Sequence, residues 1–300
     1  MPGPFDLADP ASYRRWRERK FDSAPRRIED ILVALDDPRA MTPTELDALL
    51  RRCATANMAI YTSNTVGDAD KEIPRRLGAQ LGLHRLDSHW LTDSDAISPI
   101  SVRGAEERGE RREFIPYTDK PIKWHTDGYY NVPERTVRSV LLHCVQSAES
   151  GGRNQLLDHE IAYILLRDEN PDYIRALSQA DAMTIPPRMD EDGVARAAQS
   201  GPVFSVDGEG FLHMRYTART ISIEWRGDAA TQVAVAALTR LLAAPTQWTL
   251  HGRLEPGMGL ICNNVLHDRS GFVDGPQRRR LLYRARYHER VAAWAGQLAA

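Results

Sequence analysis

Arg279-Arg280-Leu281-Leu282-Tyr283-Arg284-Ala285-Arg286-Tyr287 alternates with a period of two. Read as a strand, it sets Arg280, Leu282, Arg284 and Arg286 on one face and Leu281, Tyr283, Ala285 and Tyr287 on the other. On periodicity alone the arginine face reads as solvated. Inside a barrel that must hold a dicarboxylate the preference inverts, because an inward guanidinium can pair bidentately with a carboxylate.

Working outward from this run, residues from about Ile122 onward have the same texture. Short β-like stretches recur at Thr136–Val145, Val203–Ser205, Phe211–Tyr216, Trp248–His251 and Gly259–Cys262, separated by turn signals. Asp207-Gly208-Glu209-Gly210 fits a hairpin turn and Glu255-Pro256-Gly257 a tight turn into a strand. This spacing suggests an antiparallel sandwich or barrel. Two helical insertions interrupt it, His159 to Leu177 and Ala229 to Ala243, so the class is α+β. Pro186 to Ser200 is polar and aperiodic and reads as a loop or lid.

The first ninety residues read as helices flanking an edge strand. Thr42-Pro43-Thr44-Glu45 combines a Thr N-cap, Pro at N1 and Glu at N3, a capping box followed by the apolar stripe Leu46, Leu49 and Leu50. Asn57 to Ser63 is short and β-prone, and Asp68 to Leu81 is amphipathic apart from Pro74.

Bulk composition excludes several classes. The 39 basic and 41 acidic residues leave a net charge of −2, without the basic footprint of a protein that neutralises many phosphates, so nucleic acid is not the expected partner. Cys53, Cys144 and Cys262 are odd in number, far apart and without a C-x-x-C pair, and read as reduced, buried thiols. No apolar leader opens the chain and no stretch has the ~18 apolar residues of a membrane helix. A cytoplasmic protein without a membrane partner is the expectation.

The sharpest local feature is Lys123-Trp124-His125-Thr126-Asp127-Gly128. In extended chain residues i and i+2 point the same way, so His125 and Asp127 can reach one ion. Two His and one carboxylate on one face of an octahedral metal leave positions open for oxygen chemistry at iron(II). Alone, an H-x-D triplet is weak in a chain with nine histidines. The best second histidine is His267, in Cys262-Asn263-Asn264-Val265-Leu266-His267-Asp268, at the end of the strand after the Pro256-Gly257 turn. Asp268 is an alternative ligand, and His267 could instead cap a loop.

With these elements in order, the chain resembles the taurine dioxygenase-like (TauD/TfdA, clavaminate synthase-like) 2-oxoglutarate oxygenases over roughly Ile122 to Tyr287. The resemblance rests on His125-x-Asp127, on Gly151-Gly152-Arg153-Asn154, on His267, and on Pro276-Gln277-Arg278-Arg279-Arg280-Leu281-Leu282-Tyr283-Arg284. It implies a distorted double-stranded β-helix, a cupin-like jelly roll with helical cover and insertions. It also implies one catalytic domain: a mainly helical cover with an edge strand over 1–95, then a jelly-roll core over 96–290 with insertions near 159–179 and 229–243.

For chemistry the resemblance implies iron(II) on His125, Asp127 and His267, with 2-oxoglutarate and O2 as cosubstrates and succinate and CO2 as products. Asn154 stands where the family's Gly-Gly-x-Thr segment has Thr, and Arg280 is the expected partner of the distal 2-oxoglutarate carboxylate, with Arg279 one residue away as the alternative. Halogenating members replace the carboxylate with a small residue; Asp127 is present, which favours hydroxylation or a related oxidation.

Trp124, Tyr129 and Tyr130 flank the triplet and can form an apolar wall, an aromatic cage for a cation, or ordinary core. Arg215, Tyr216, Arg219 and Arg284 are further substrate candidates, the arginines through a carboxylate, phosphonate or sulfonate. The expected substrate is a small polar or amino-acid-like metabolite, and a homo-oligomer is compatible with the family. Competing readings are a divalent-metal hydrolase using the same three ligands, and a non-catalytic jelly-roll binding protein. His143 and His159 read as structural.

Overall fold

A computed structural model describes residues 3–88, 93–102, 114–190, 193–219 and 223–292. The chain opens with α1 (Pro10–Ser23), β1 (Leu32–Ala34), α2 (Pro43–Ala56), β2 (Met58–Thr62), α3 (Glu72–Gln80) and β3 (Ser98–Ile100). Then come β4 (Ile122–His125), β5 (Ser139–Gln146), β6 (Ser150–Gly151), β7 (Asn154–Leu157), α4 (His159–Glu169) and α5 (Pro171–Leu177). A run of short strands follows: β8 (Met183–Ile185), β9 (Arg188–Asp190), β10 (Gly193–Arg196), β11 (Gln199–Gly201), β12 (Phe204–Val206), β13 (Leu212–Met214) and β14 (Glu224–Trp225). After α6 (Ala229–Ala243) the chain ends in β15 (Leu250–Gly252), β16 (Gly259–Cys262), β17 (Leu266–Arg269), β18 (Phe272–Val273) and β19 (Leu281–Tyr287).

Contacts divide the chain into two compact units, residues 1–24, 123–136 and 157–249, and residues 25–122, 137–156 and 250–300. The second contains a six-stranded sheet in the order β1-β2-β16-β5-β19-β3. Both faces of this sheet are buried. Ile60, Val140, Leu260 and Leu282 pack in one cluster with Leu156 of β7 and Leu250 of β15, strands of a four-stranded sheet ordered β15-β7-β17-β4. Tyr61, Leu141, Ile261, Tyr283 and Tyr287 pack in the other, with Leu49 of α2 and Leu77 of α3. The alternation expected of the terminal strand is therefore real, and the Arg280, Leu282, Arg284, Arg286 face is the one turned toward the cluster between sheets.

Local signals act as expected at α2. Thr42 Oγ1 accepts from Glu45 N at 3.3 Å while Glu45 Oε2 accepts from Thr42 N at 2.7 Å, and Asn57 ends the helix at φ 57°. Three expectations change. Asn57–Ser63 is not an edge: β2 lies between parallel β1 and antiparallel β16, because Ala59 and Tyr61 need cover as much as Met58 and Ile60 do. The single helix expected from His159 breaks at Asn170, extended at φ −161° and ψ 116° before Pro171. Pro186–Ser200, read as a loop or lid, holds the β9/β10 hairpin and β11.

The other unit is built on α1, α4, α5 and α6. Lys20 is buried between Asp158 at 2.6 Å and Glu160 at 2.5 Å, so its charge is compensated internally and its pKa stays above the ordinary lysine value despite desolvation. His159 belongs to the start of α4, with Nε2 donating to Leu212 O at 3.0 Å, as expected of a structural histidine. The three cysteines are free and buried. Among the described residues no helix is long and apolar enough to cross a membrane.

His143 on β5 is fully buried and hydrogen-bonded through Nδ1 to the Tyr61 hydroxyl at 2.8 Å. Burial lowers its pKa from 6.5 to about 4, so the native state keeps it neutral while the unfolded chain takes a proton first. The stability this contributes is present above pH 6.5 and is lost as pH falls toward 4, by about 3 kcal/mol for a shift of this size. Urea titrations at pH 7 and pH 5 should show the loss, and His143→Asn, which cannot titrate, should flatten the slope.

Candidate metal and cosubstrate site

Strands β4 and β17 are neighbours in the four-stranded sheet. His125 is the last residue of β4, and Asp127 lies two residues on, where Gly128 turns the chain at φ 69°. His267 is the second residue of β17. One potential ligand atom from each of His125, Asp127 and His267 lies within 4.8 Å of the others, and His125 Nε2 is 3.6 Å from Asp127 Oδ1.

The two imidazoles are held in the same way. His125 Nδ1 is 2.9 Å from Lys123 O, and His267 Nδ1 is 2.9 Å from Val265 O. A carbonyl oxygen only accepts, so each Nδ1 carries the proton and each Nε2 presents its lone pair, the tautomer a metal ligand needs. The donor set fits a hard or borderline divalent ion such as iron(II).

His267 reaches this sheet by a route other than the one its sequence position suggests. It is not at the end of the strand after Pro256-Gly257; that strand, β16, stops at Cys262 in the six-stranded sheet. Asn264 then takes the left-handed conformation at φ 52°, its Nδ2 donating to Val137 O at 2.7 Å, and the chain passes to β17. Asp268, the alternative ligand, faces β7, where its Oδ1 accepts from Gln155 N at 2.7 Å.

Arg269, on the same side of β17 as His267, donates from Nη2 to Thr118 O at 2.8 Å and Lys120 O at 2.5 Å and ties down the segment entering β4. Burial lowers its pKa to about 9. Its guanidinium and that of Arg280 lie 4.8 and 5.1 Å from the Phe272 ring centroid.

A small cavity is lined by Gly151, Gly152, Asn154, Arg253, Arg280 and Leu282. Gly151, at φ +73°, leaves no room for a side chain: a Cβ would sit 2.3 Å from Gly271 O. Asn154 donates from Nδ2 to Asp268 O at 2.6 Å, which fixes its amide beside the cavity. Arg280 is buried, its Nη1 has no hydrogen-bond partner among the described residues, and desolvation lowers its pKa to about 10. Arg286, on the same strand face, meets Asp87 at 2.6 Å with both side chains buried. Arg286 thus has an ion-pair partner, whereas Arg280 makes no ion pair among the described residues and feels Asp274 only through its field. Arg279, the one-residue alternative, is exposed.

The substrate candidates separate. Arg215 is spent on backbone: it donates to Tyr129 O at 2.7 Å, Met183 O at 2.9 Å and Gln199 O at 2.7 Å, so it braces three segments and is not free to bind an anion. Tyr216 is buried, and its backbone pairs with Thr126. Tyr129 and Tyr130 meet edge-to-face at 5.2 Å, and Trp124 makes no ring contact with them among the described residues. Arg219 and Arg284 are half-buried. Arg196, next to Tyr130, was missed because nothing in its local sequence marks it.

A mixed fold carrying a His-Asp-His donor set, with a buried arginine that makes no ion pair among the described residues, is that of a non-haem iron dioxygenase. The chain belongs to the TauD/TfdA family: the family description "Taurine catabolism dioxygenase TauD, TfdA family" matches residues 67–286. It is 32% identical over 202 residues, 64% of this chain and 69% of the relative, to a uridine-5'-phosphate dioxygenase from a Streptomyces species. A uridine-5'-phosphate dioxygenase from an Amycolatopsis species is 33% identical over 176 residues, and the match spans 55% of this chain and 60%, less than two thirds, of that relative. Among solved structures, an asparagine oxygenase in complex with Fe(II), hydroxyasparagine and succinate aligns with a TM-score of 0.56 at 13% identity, covering 86% of this chain and 93% of that one. The fold is the cupin-like jelly roll of these oxygenases. Membership makes the chain an iron(II)- and 2-oxoglutarate-dependent enzyme and removes the hydrolase and binding-protein readings.

Proposed function

We propose that this chain, acting as one catalytic domain on a distorted double-stranded β-helix, hydroxylates uridine 5'-phosphate or a closely related nucleoside 5'-phosphate. The observation that carries the chemistry is the convergence of His125, Asp127 and His267 with both Nδ1 atoms already committed to carbonyls. The relatives' substrate supports the nucleotide; it replaces the earlier expectation of an amino-acid-like metabolite.

In this reading His125 and His267 bind iron through Nε2 and Asp127 through its carboxylate. Iron(II) and 2-oxoglutarate bound there supply O2-dependent oxidation of a C–H bond, with succinate and CO2 released. Arg280 takes the distal carboxylate of 2-oxoglutarate, replacing the anion its burial leaves missing. Asn154 and the Gly151-Gly152 turn shape the cavity beside it. Arg269 holds the approach to β4, so the two histidine-bearing strands keep one register.

The experiment is succinate release by the iron-loaded protein with uridine 5'-phosphate and the other common nucleoside 5'-phosphates, against uridine, taurine and asparagine. Uridine 5'-phosphate should stimulate release at least about tenfold over the no-substrate rate, with a hydroxylated or otherwise oxidised product in equal amount. Stimulation by none of the nucleoside 5'-phosphates, in an enzyme that still binds iron and 2-oxoglutarate, would sink the substrate and leave the class intact.

A further inference from the structure

We propose that Arg196, together with Arg219 and the Tyr129–Tyr130 pair, forms the subsite that takes the phosphomonoester dianion of the substrate. This rests on the nucleotide reading above and assigns the residues that would read its charge.

Arg196 stands on β10, at the end of the β9/β10 hairpin. Its Nη2 donates to Pro186 O at 2.7 Å, and the guanidinium lies 5.8 Å from the centroid of the Tyr130 ring. Its Nη1 is buried and has no hydrogen-bond partner among the described residues. Elsewhere in the chain, arginines of similar or greater exposure find carboxylates, as Arg39 does with Asp37, Asp68 and Asp70, and Arg226 with Asp181 and Asp228. Leaving a buried guanidinium donor unpaired is costly, and the cost is recovered when an anion arrives.

A second cation acts on the first tyrosine of the Tyr129–Tyr130 pair. The Arg219 guanidinium makes no hydrogen bond or ion pair among the described residues, and both Arg219 and Arg196 act electrostatically on Tyr129. The charges felt by Arg196 are those of Tyr129, Tyr130 and Arg188, with no described carboxylate among them. Burial and Arg188 accordingly push its pKa below the ordinary arginine value. Two guanidinium groups without a counter-ion, one of them able to present a fork of N–H donors, match a phosphate better than a neutral or cationic group.

The position fits the site. The Tyr129 hydroxyl is hydrogen-bonded to Thr217, and Thr217 is bridged through its backbone to His125. Both cations therefore act on a tyrosine tied to the segment that carries two of the three proposed metal ligands. Arg215, by contrast, has its donors consumed by carbonyl oxygens and cannot serve.

Calorimetric titration of the anaerobic iron(II)–2-oxoglutarate protein with uridine 5'-phosphate, uridine and inorganic phosphate tests the assignment; bound 2-oxoglutarate keeps these probes from Arg280. Wild type should prefer the nucleotide to the nucleoside by at least about tenfold. Arg196→Met and Arg219→Met should each weaken nucleotide and phosphate binding about 10- to 100-fold, leave uridine binding unchanged, and raise KM far more than they lower kcat. Arg196→Lys, which keeps the charge and loses the fork, should recover part of the loss. Full preference retained in both methionine variants overturns the subsite. If wild type does not bind the nucleotide, the substrate reading fails separately: phosphate binding that Arg196→Met abolishes still upholds the anion subsite, and phosphate binding that is absent or indifferent to both substitutions overturns it.

Discussion

Replacement of His267 by alanine is expected to abolish the weak visible band of the anaerobic iron(II)–2-oxoglutarate protein and to reduce succinate release to background. Outer-sphere changes at metal sites cost roughly 10- to 100-fold in affinity, and removal of a ligand itself should exceed that, at about 100-fold or more. The fold should survive. β17 is held by Leu266, which is fully buried, and by the backbone-directed bonds of Arg269, neither of which involves the imidazole. His251→Ala on β15, a strand of the same sheet outside the donor group, is the control and should keep the band. Iron affinity within about tenfold of wild type in His267→Ala would remove this residue from the site.

The second large effect should come from Arg280→Met, in two measurements of opposite sign. Loss of a charge-assisted, bidentate partner in a buried site costs about 2–4 kcal/mol, so KM for 2-oxoglutarate should rise roughly 30- to 1000-fold. The protein without cosubstrate should be no less stable than wild type, and can be more so. A guanidinium pushed down to about 10 by desolvation is still charged at neutral pH, and that shift corresponds to about 3 kcal/mol of penalty which an apolar side chain of similar length does not carry. Thermal unfolding with and without 2-oxoglutarate reads both: wild type should gain stability with the ligand and the variant should not. A variant that unfolds well below wild type while keeping its KM would make Arg280 a structural residue. Arg286→Met should behave in that structural way, because it removes the buried ion pair with Asp87.

Much of this was legible in local sequence. The capping box at Thr42, the hairpin at Asp207 to Gly210 and the period-two run to Tyr287 each depend on residues a few positions apart, and each formed as read. The His125-x-Asp127 spacing is local in the same sense. The break before Pro171 was equally written in the chain, as an extended Asn before proline, and was overlooked.

What the sequence by itself determined is therefore the class: short alternating runs that require an antiparallel sheet, an imidazole and a carboxylate two residues apart, and an arginine strand following a distal histidine. What the tertiary structure decided is which of those groups are free to act. Whether Arg280, Arg286, Arg215 or Arg196 has a partner depends on Asp87, on the carbonyls of Tyr129, Met183 and Gln199, and on an aromatic pair some 66 residues away in sequence. The turn at Asn264 that delivers His267 to the second sheet is likewise stabilised by Val137 O, 127 residues distant. A long side chain costs the same to bury wherever it stands, and only the fold determines whether an opposite charge is already there to meet it.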